Sequence, residues 1–356
     1  MDGFMRLPPR GVMERPRDWE IAMAKITGFG EIMLRLATPR GQVLNGAQSL
    51  EVDFGGAEAN TIIALARLGH DAQFVTGLPD NDWGRRAAAM LASAGVRRST
   101  RYIDGARMGT YFLESGAGLR GGRVIYDRRN SAFAVCDWSD LDWSRLLADA
   151  DWLHLSGITL ALSESAADAC ESAARAAREA GCRVSFDCNY RAALWADTRS
   201  FGAACRRIVA LADLVFCGCR EIRWILDQPR PDDISPDPAH GFGLLGDVAP
   251  HMTVLAGTLH DKDESGAPKL GGFATNGEES AKLDPHGLGQ IVDPVGGGDA
   301  YAAGVLHGLA EGWPVVRAAE FALAAAALKH TIMGDQLRAT PAEVMRYAVN
   351  GGAVSR

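Results

Sequence analysis

The sequence predicts an α/β protein: one three-layer domain over residues 23–350, with helices on both faces of a central, mostly parallel sheet, and a small β-sheet protruding as a lid. Three observations predict it. Beyond about residue 150, short apolar runs alternate with helical patterns, as a parallel sheet covered on both faces requires. Two β-patterned segments, about 32–55 and 100–132, interrupt the earlier part and fit no βα unit. A triple-glycine turn, Gly296-Gly297-Gly298, stands at the head of a late helix.

Taken in order, residues 1–22 carry Arg, Pro and Met without periodicity and are expected to be a disordered extension, with Met23 as an alternative start. Lys25 to Gly30 opens the fold as a buried strand. Gly28-Phe-Gly30 lacks a third glycine, and Glu31 to Leu36 reads as another strand, so a dinucleotide fingerprint fails its structural test. Short strands separated by turns are expected over 37–54. After Gly55-Gly56, Ile62, Ile63, Leu65 and Leu68 recur at helical spacing up to Gly69. A strand from Gln73 to Thr76 and a helix from Trp83 to Ala94 follow. The β pattern then returns in Gly109 to Glu114 and Arg123 to Arg128.

The second half predicts strands at Trp152–Leu155, Arg183–Asp187, Leu214–Cys217 and Met252–Ala256. Helices are predicted at Glu164–Ala180, Ser200–Ala212 and Cys219–Asp227. Gln228 to Pro250, rich in Pro and Asp, reads as a surface loop. Asn276-Gly277 marks a hairpin turn. Gln290 to Val292 reads as a short strand leading into the glycine turn, followed by helices at Tyr301–Glu311 and Val315–Lys329, the latter nearly all alanine and so closely packed. Thr340-Pro341 opens a last helix, with Pro at its first position.

Composition narrows the function classes. Apolar content of 47% and charged content of 23% are those of an ordinary globular protein. A net charge of −7 without a basic run argues against nucleic acid as a partner. The seven cysteines are scattered with no Cys-x-x-Cys, which argues against zinc and for reduced thiols. No apolar run reaches membrane-span length, and a cytoplasmic location is expected.

The chemistry centres on Asp293-Pro-Val-Gly-Gly-Gly-Asp299. Three residues without Cβ let their N–H groups converge where the positive end of a helix also lies, which is an anion site. A carboxylate in that first turn would repel a merely bound phosphate. It makes sense if Asp299 takes a proton from a hydroxyl attacking a phosphoryl group.

Together with the early Gly55-Gly56-x-x-x-Asn60, this motif and the β insertions resemble the PfkB/ribokinase family of carbohydrate kinases. Within it, Gly30-Glu31-Ile-Met-Leu-Arg-Leu36, Tyr126-Asp-Arg128, Asp187-x-Asn189-x-Arg191 and Lys329-His330 to Gly334-Asp335 resemble the kinases of 2-keto-3-deoxy sugar acids. The resemblance spans residues 26 to 335 and implies a ribokinase-like fold, ATP and Mg²⁺ as cofactors, and a homodimer or higher oligomer through the lid. Leu34, Leu36, Phe112 and Leu113 are the apolar residues expected there.

The resemblance also implies roles for named residues. Asp299 is the base, with Arg191 and the N–H groups of Gly296, Gly297 and Gly298 on the transferring phosphoryl group. Gly55, Gly56 and Asn60 face the sugar, and Tyr111, Tyr126, Arg128 and Arg191 face a sugar acid, whose carboxylate calls for guanidinium groups. Asp187 and Asn189 support the Arg191 loop. Glu221 holds Mg²⁺ through water, while Gly257, Thr258, Gly296, Gly298 and Lys329 contact the nucleotide. Three departures stand out. Gly218 occupies the family's metal-side Asn position, Gly257-Thr258-Leu259 replaces the usual Lys-x-Gly-x-x-Gly, and Pro294 removes one N–H ahead of the nest.

Overall fold

The computed structural model describes residues 23–116, 120–227, 238–264 and 266–350; the expected extension over 1–22 lies outside them. The strands in chain order are β1 (Lys25–Phe29), β2 (Met33–Ala37), β3 (Glu51–Gly55), β4 (Asp71–Pro79), β5 (Arg97–Ile103), β6 (Thr110–Glu114) and β7 (Arg123–Asp127). Then come β8 (Trp152–Ser156), β9 (Arg183–Asp187), β10 (Leu214–Phe216), β11 (Val254–Lys262), β12 (Pro268–Thr275) and β13 (Ser280–Gly287).

Nine strands form the main sheet in the order β13-β12-β11-β10-β9-β8-β1-β4-β5. From β5 to β11 every neighbouring pair is parallel, and β12 and β13 add an antiparallel hairpin at one edge. Alternation along each strand feeds two cores. Ile26, Phe74, Leu214 and Phe216 face one side, and Phe29, Val75, Val215 and Cys217 the other. The first side is covered by helices Ala57–Arg67, Gly297–Ala310 and Val315–Lys329, the second by Glu164–Ala180 and Thr198–Val209. The alanine-rich helix packs closely, as expected: a Cβ on Gly304 would overlap Ala322, and one on Gly308 would overlap Ala318.

The chain runs outward from β1 to β4 and β5, then returns to β8 beside β1 and continues the other way. Such a reversal opens a crevice at the carboxyl ends of the strands, the usual ligand site of a parallel sheet. A second, four-stranded sheet, β3-β2-β6-β7, stands over these ends.

Several expectations are corrected. Gln290 to Val292 is not a strand: the amides of Val292 and Asp293 both donate to the His330 carbonyl, at 2.8 and 3.3 Å, docking the segment on a helix end. Pro238–Leu245 is helical where a loop is expected, with Pro at its first position and buried Gly241 against Ile222 and Leu255; residues 228–237 of that stretch lie outside those described. Arg97–Ile103 belongs to the main sheet, so the second lid segment begins at Thr110. Leu34 and Leu113 are buried, Leu34 in the domain core, and the exposed apolar lid residues are Val124, Ile125 and Tyr126. Among the described residues no helix is long and apolar enough to cross a membrane.

Candidate active site

A cleft of about 1320 Å³ lies between the carboxyl ends of the main strands and the small sheet, large enough for two ligands side by side. Its floor is the loop from Asp293 into the Gly297–Ala310 helix. Asp293 Oδ1 accepts from the Val295 amide at 3.0 Å, closing a local turn. Gly296 then adopts φ 84°, ψ 2°, a left-handed conformation that aims the chain into the helix. A Cβ at Gly296 would also collide with the Asp335 carbonyl, and one at Gly297 with the His330 ring; one at Gly298 would meet nothing within 4 Å among the described residues. Gly298 is therefore the point where a ligand can approach the backbone.

Asp299 sits in the first turn of this helix and lines the cleft. Asn60 Nδ2 donates to its Oδ2 at 2.7 Å, while Asn60 Oδ1 faces the Gly56 amide at 3.4 Å. Burial pushes the Asp299 carboxyl up to about 8; the Asp187 and Asp335 charges add to this, against the Asn60 hydrogen bond and the Arg191 charge. Asp187, at the end of β9, is itself pushed up to about 7 by burial, and its Oδ1 accepts from the Asn189 amide at 3.0 Å. The pair shapes the loop that carries Arg191 into the cleft, with Asn189 at φ 39°.

The sugar-side wall comes from the small sheet. Tyr126 is exposed on β7 and lines the cleft, its ring centroid 5.9 Å from that of Tyr111. Tyr111 is buried on β6, and its hydroxyl donates to Asp335 Oδ2. Arg128 also lines the cleft, but Nε and Nη2 both donate to Glu31 Oε2, Nε at 2.8 Å. Glu31 is 2% exposed, so Arg128 is held from behind by a buried carboxylate.

The opposite end is formed by Glu221, Gly257 and Thr258 with His260 and His330. Glu221 Oε2 accepts from the Gly218 amide at 3.0 Å, capping its own helix. That bond occupies one carboxylate oxygen and leaves the other for a hydrated cation. Carboxylates from Asp187, Glu221 and Asp299 line one cleft together with the glycine turn, so the donor set fits a nucleotide phosphate carrying Mg²⁺.

Two expected site residues lie outside the lining. The space a Gly55 side chain would fill is taken by the Asp335 carboxylate and the Tyr111 hydroxyl, so Gly55 makes room for them and does not face the cleft. Lys329 is fully buried: Nζ donates to the Asp293 carbonyl at 2.9 Å and lies 3.9 Å from Asp293 Oδ1, bracing the nest from beneath instead of bordering a nucleotide. Among the lining residues given no role from sequence are the ionisable groups of Asp335, Arg220 and His260. Asp335 follows Gly334, which has φ 91°, and a positive-φ glycine before an acid late in the chain was the signal available.

Comparison with known proteins places the chain in a family. The model of the pfkB family of carbohydrate kinases matches residues 23–237 and 270–342. A 2-dehydro-3-deoxygalactonokinase of Haloferax volcanii is 35% identical over 332 residues, covering 93% of this chain and 98% of that protein. A 2-dehydro-3-deoxygluconokinase of Thermoproteus tenax is 30% identical over 321 residues, covering 88% and 90%. The crystal structure of the 2-dehydro-3-deoxygluconokinase of Thermotoga maritima superposes with a TM-score of 0.84 at 33% identity, covering 91% of this chain and 99% of that one. With a family match over most of its length and a ribokinase-like fold around the glycine turn, the chain belongs to the pfkB family of carbohydrate kinases and is a sugar kinase.

Proposed function

We propose that the chain transfers the γ-phosphoryl group of ATP to the primary hydroxyl of 2-keto-3-deoxygluconate. The observation that carries this reading is one cleft lined by Asp299 and the glycine nest together with Arg128, Arg191 and Tyr126. A neutral sugar has no use for two guanidinium groups at that position; a sugar acid does.

In this reaction Asp299 accepts the proton of the attacking hydroxyl as the new O–P bond forms and the β–γ bridging bond breaks, releasing ADP. Asn60 fixes the carboxylate. With its pKa raised to about 8, the ionised carboxylate is a stronger proton acceptor than an ordinary Asp, and the ionised fraction grows as pH rises through 8. Arg191 and the nest N–H groups hold the equatorial charge, with Gly298 closest to the phosphate. Magnesium, when bound, neutralises the β- and γ-oxygens; Glu221 would hold it through water. Gly257 and Thr258 would contact the nucleotide. The small sheet closes over the sugar and excludes water. Two copies join through its outer strand β7, where Val124, Ile125 and Tyr126 are exposed.

A second reading, the galactonate epimer as substrate, is favoured by the Haloferax relative. Coupled ADP release with Mg-ATP and either epimer, fructose or ribose tests the reading. Turnover confined to keto-deoxy acids is expected, and turnover on fructose or ribose alone would discard the acid-reading role of Arg128.

A further inference from the structure

We propose that Arg35 is a positioning residue for phosphoryl transfer: reaching from the lid strand β2, it locks the loop that forms the glycine nest to the loop that carries Asp335. The reaction does not otherwise use Arg35, which is 2% exposed and lines no part of the cleft. Its Nη2 donates to Asp293 Oδ2 and its Nη1 to Asp335 Oδ1. The partners lie 258 and 300 residues away in the chain, so this contact joins three segments that are distant in sequence.

Each partner fixes part of the nest. Asp293 uses its other oxygen to close the turn at Val295, and Oδ2 also accepts from the Gly334 amide at 3.1 Å. The Asp335 carbonyl lies where a Gly296 side chain would be, so the position of this loop sets the left-handed turn at Gly296. The second oxygen of Asp335 accepts from Tyr111 on β6, the strand beside β2. The lid thus meets the frame of the nest through a buried fork with the Tyr111 hydroxyl beside it, and the planar guanidinium is the group that can bond two carboxylates at once. Burial works against the Arg35 charge, but Asp335, Tyr111 and Asp293 more than offset it, so the fork stays protonated.

The N–H groups of Gly296–Gly298 act on charge that grows in the transition state, so loosening their frame lowers kcat more than it weakens ground-state binding. The proposal rests on the sugar-kinase reaction and is tested by steady-state kinetics of the full chain carrying Arg35→Met or Arg35→Lys. In Arg35→Met, kcat falls about 30- to 100-fold with KM for sugar and nucleotide within about three-fold, the signature of an interaction realised in the transition state. Arg35→Lys keeps a charge on one carboxylate and recovers at least about five-fold of the lost kcat. A folded Arg35→Met protein with kcat within about two-fold of wild type, a loss confined to KM, or a Lys variant no better than Met overturns the proposal. Should Arg35→Met not fold, Arg35→Lys alone decides: a lowered kcat with KM held supports it, and an unchanged kcat overturns it. Failure of the wild-type chain to phosphorylate any sugar would instead count against the reading of the reaction.

Discussion

Replacing Asp299 by Asn removes an ionisation that the fold resists, and the effect should be visible without any substrate. The folded carboxyl titrates at about 8 because it is buried beside Asp187 and Asp335. In the unfolded chain an Asp titrates near 3.9. A folded pKa above the unfolded one means that ionising the group opposes folding: its contribution is most favourable below about pH 4 and is progressively lost up to about pH 8. The full shift of about four units sets a ceiling of ~5–6 kcal/mol, and access of cleft water to the carboxylate reduces this to about 2 kcal/mol. For the roughly 310 described residues, an unfolding entropy near 0.7 kcal/mol/K converts that into about 3 °C. The assay is thermal unfolding of wild type and Asp299→Asn across pH, without Mg²⁺ or nucleotide. The variant, whose amide oxygen still accepts from Asn60, should melt about 3 °C above wild type at pH 8.5, the gap closing to about 1 °C at pH 5.5. A gap that is flat with pH, or reversed at pH 8.5, refutes the reasoning.

Four further outcomes follow from the same geometry. Asp299→Asn should lower kcat by about 10²–10⁴-fold while sugar-acid binding by calorimetry persists, and wild-type kcat/KM should rise with pH through about 8. Lys329→Met leaves the Asp293 carbonyl without its buried donor and should cost ~1–3 kcal/mol by denaturant unfolding, with KM for ATP unchanged if Lys329 braces the nest rather than touching nucleotide. Arg128→Met strands the buried Glu31 carboxylate and should cost about 3–5 kcal/mol; adding Glu31→Gln should recover much of it, and that double variant should lose activity on a sugar acid far more than on a neutral sugar. Ile125→Lys on the exposed β7 strand should convert an oligomer to monomer in light scattering, with the Tm changed by less than about 1 °C.

The sheet was legible because buried parallel strands are uninterrupted apolar runs and their helices carry capping and glycine signals; Glu164–Ala180, closed by left-handed Gly181, is such a case. The glycine turn at the head of the Gly297–Ala310 helix was legible for the same local reason, since its conformation is set by neighbours in sequence. What was missed is non-local. Arg35 reads as an ordinary alternating residue of a lid strand, and nothing near it in sequence announces partners 258 and 300 residues away. Lys329 at a helix end fits a role toward the helix dipole, a nucleotide or a buried carbonyl equally well until Asp293 is placed beneath it. Gly55 carries the same ambiguity, for a missing Cβ can admit a ligand or a neighbouring side chain, and here Asp335 fills the space. The helix Pro238–Leu245 was hidden by surrounding Pro and Asp, although a proline at its first position was the available sign.

The central claim is that a base in the glycine nest phosphorylates a sugar acid recognised by Arg128 and Arg191. Its most direct test is ADP release with Mg-ATP from the wild-type chain and Asp299→Asn, each given 2-keto-3-deoxygluconate, its galactonate epimer, fructose and ribose at equal concentration. The account predicts wild-type turnover on the keto-deoxy acids alone and its loss in the variant. Turnover of fructose or ribose in their place, or an Asp299→Asn protein with full turnover, would contradict it.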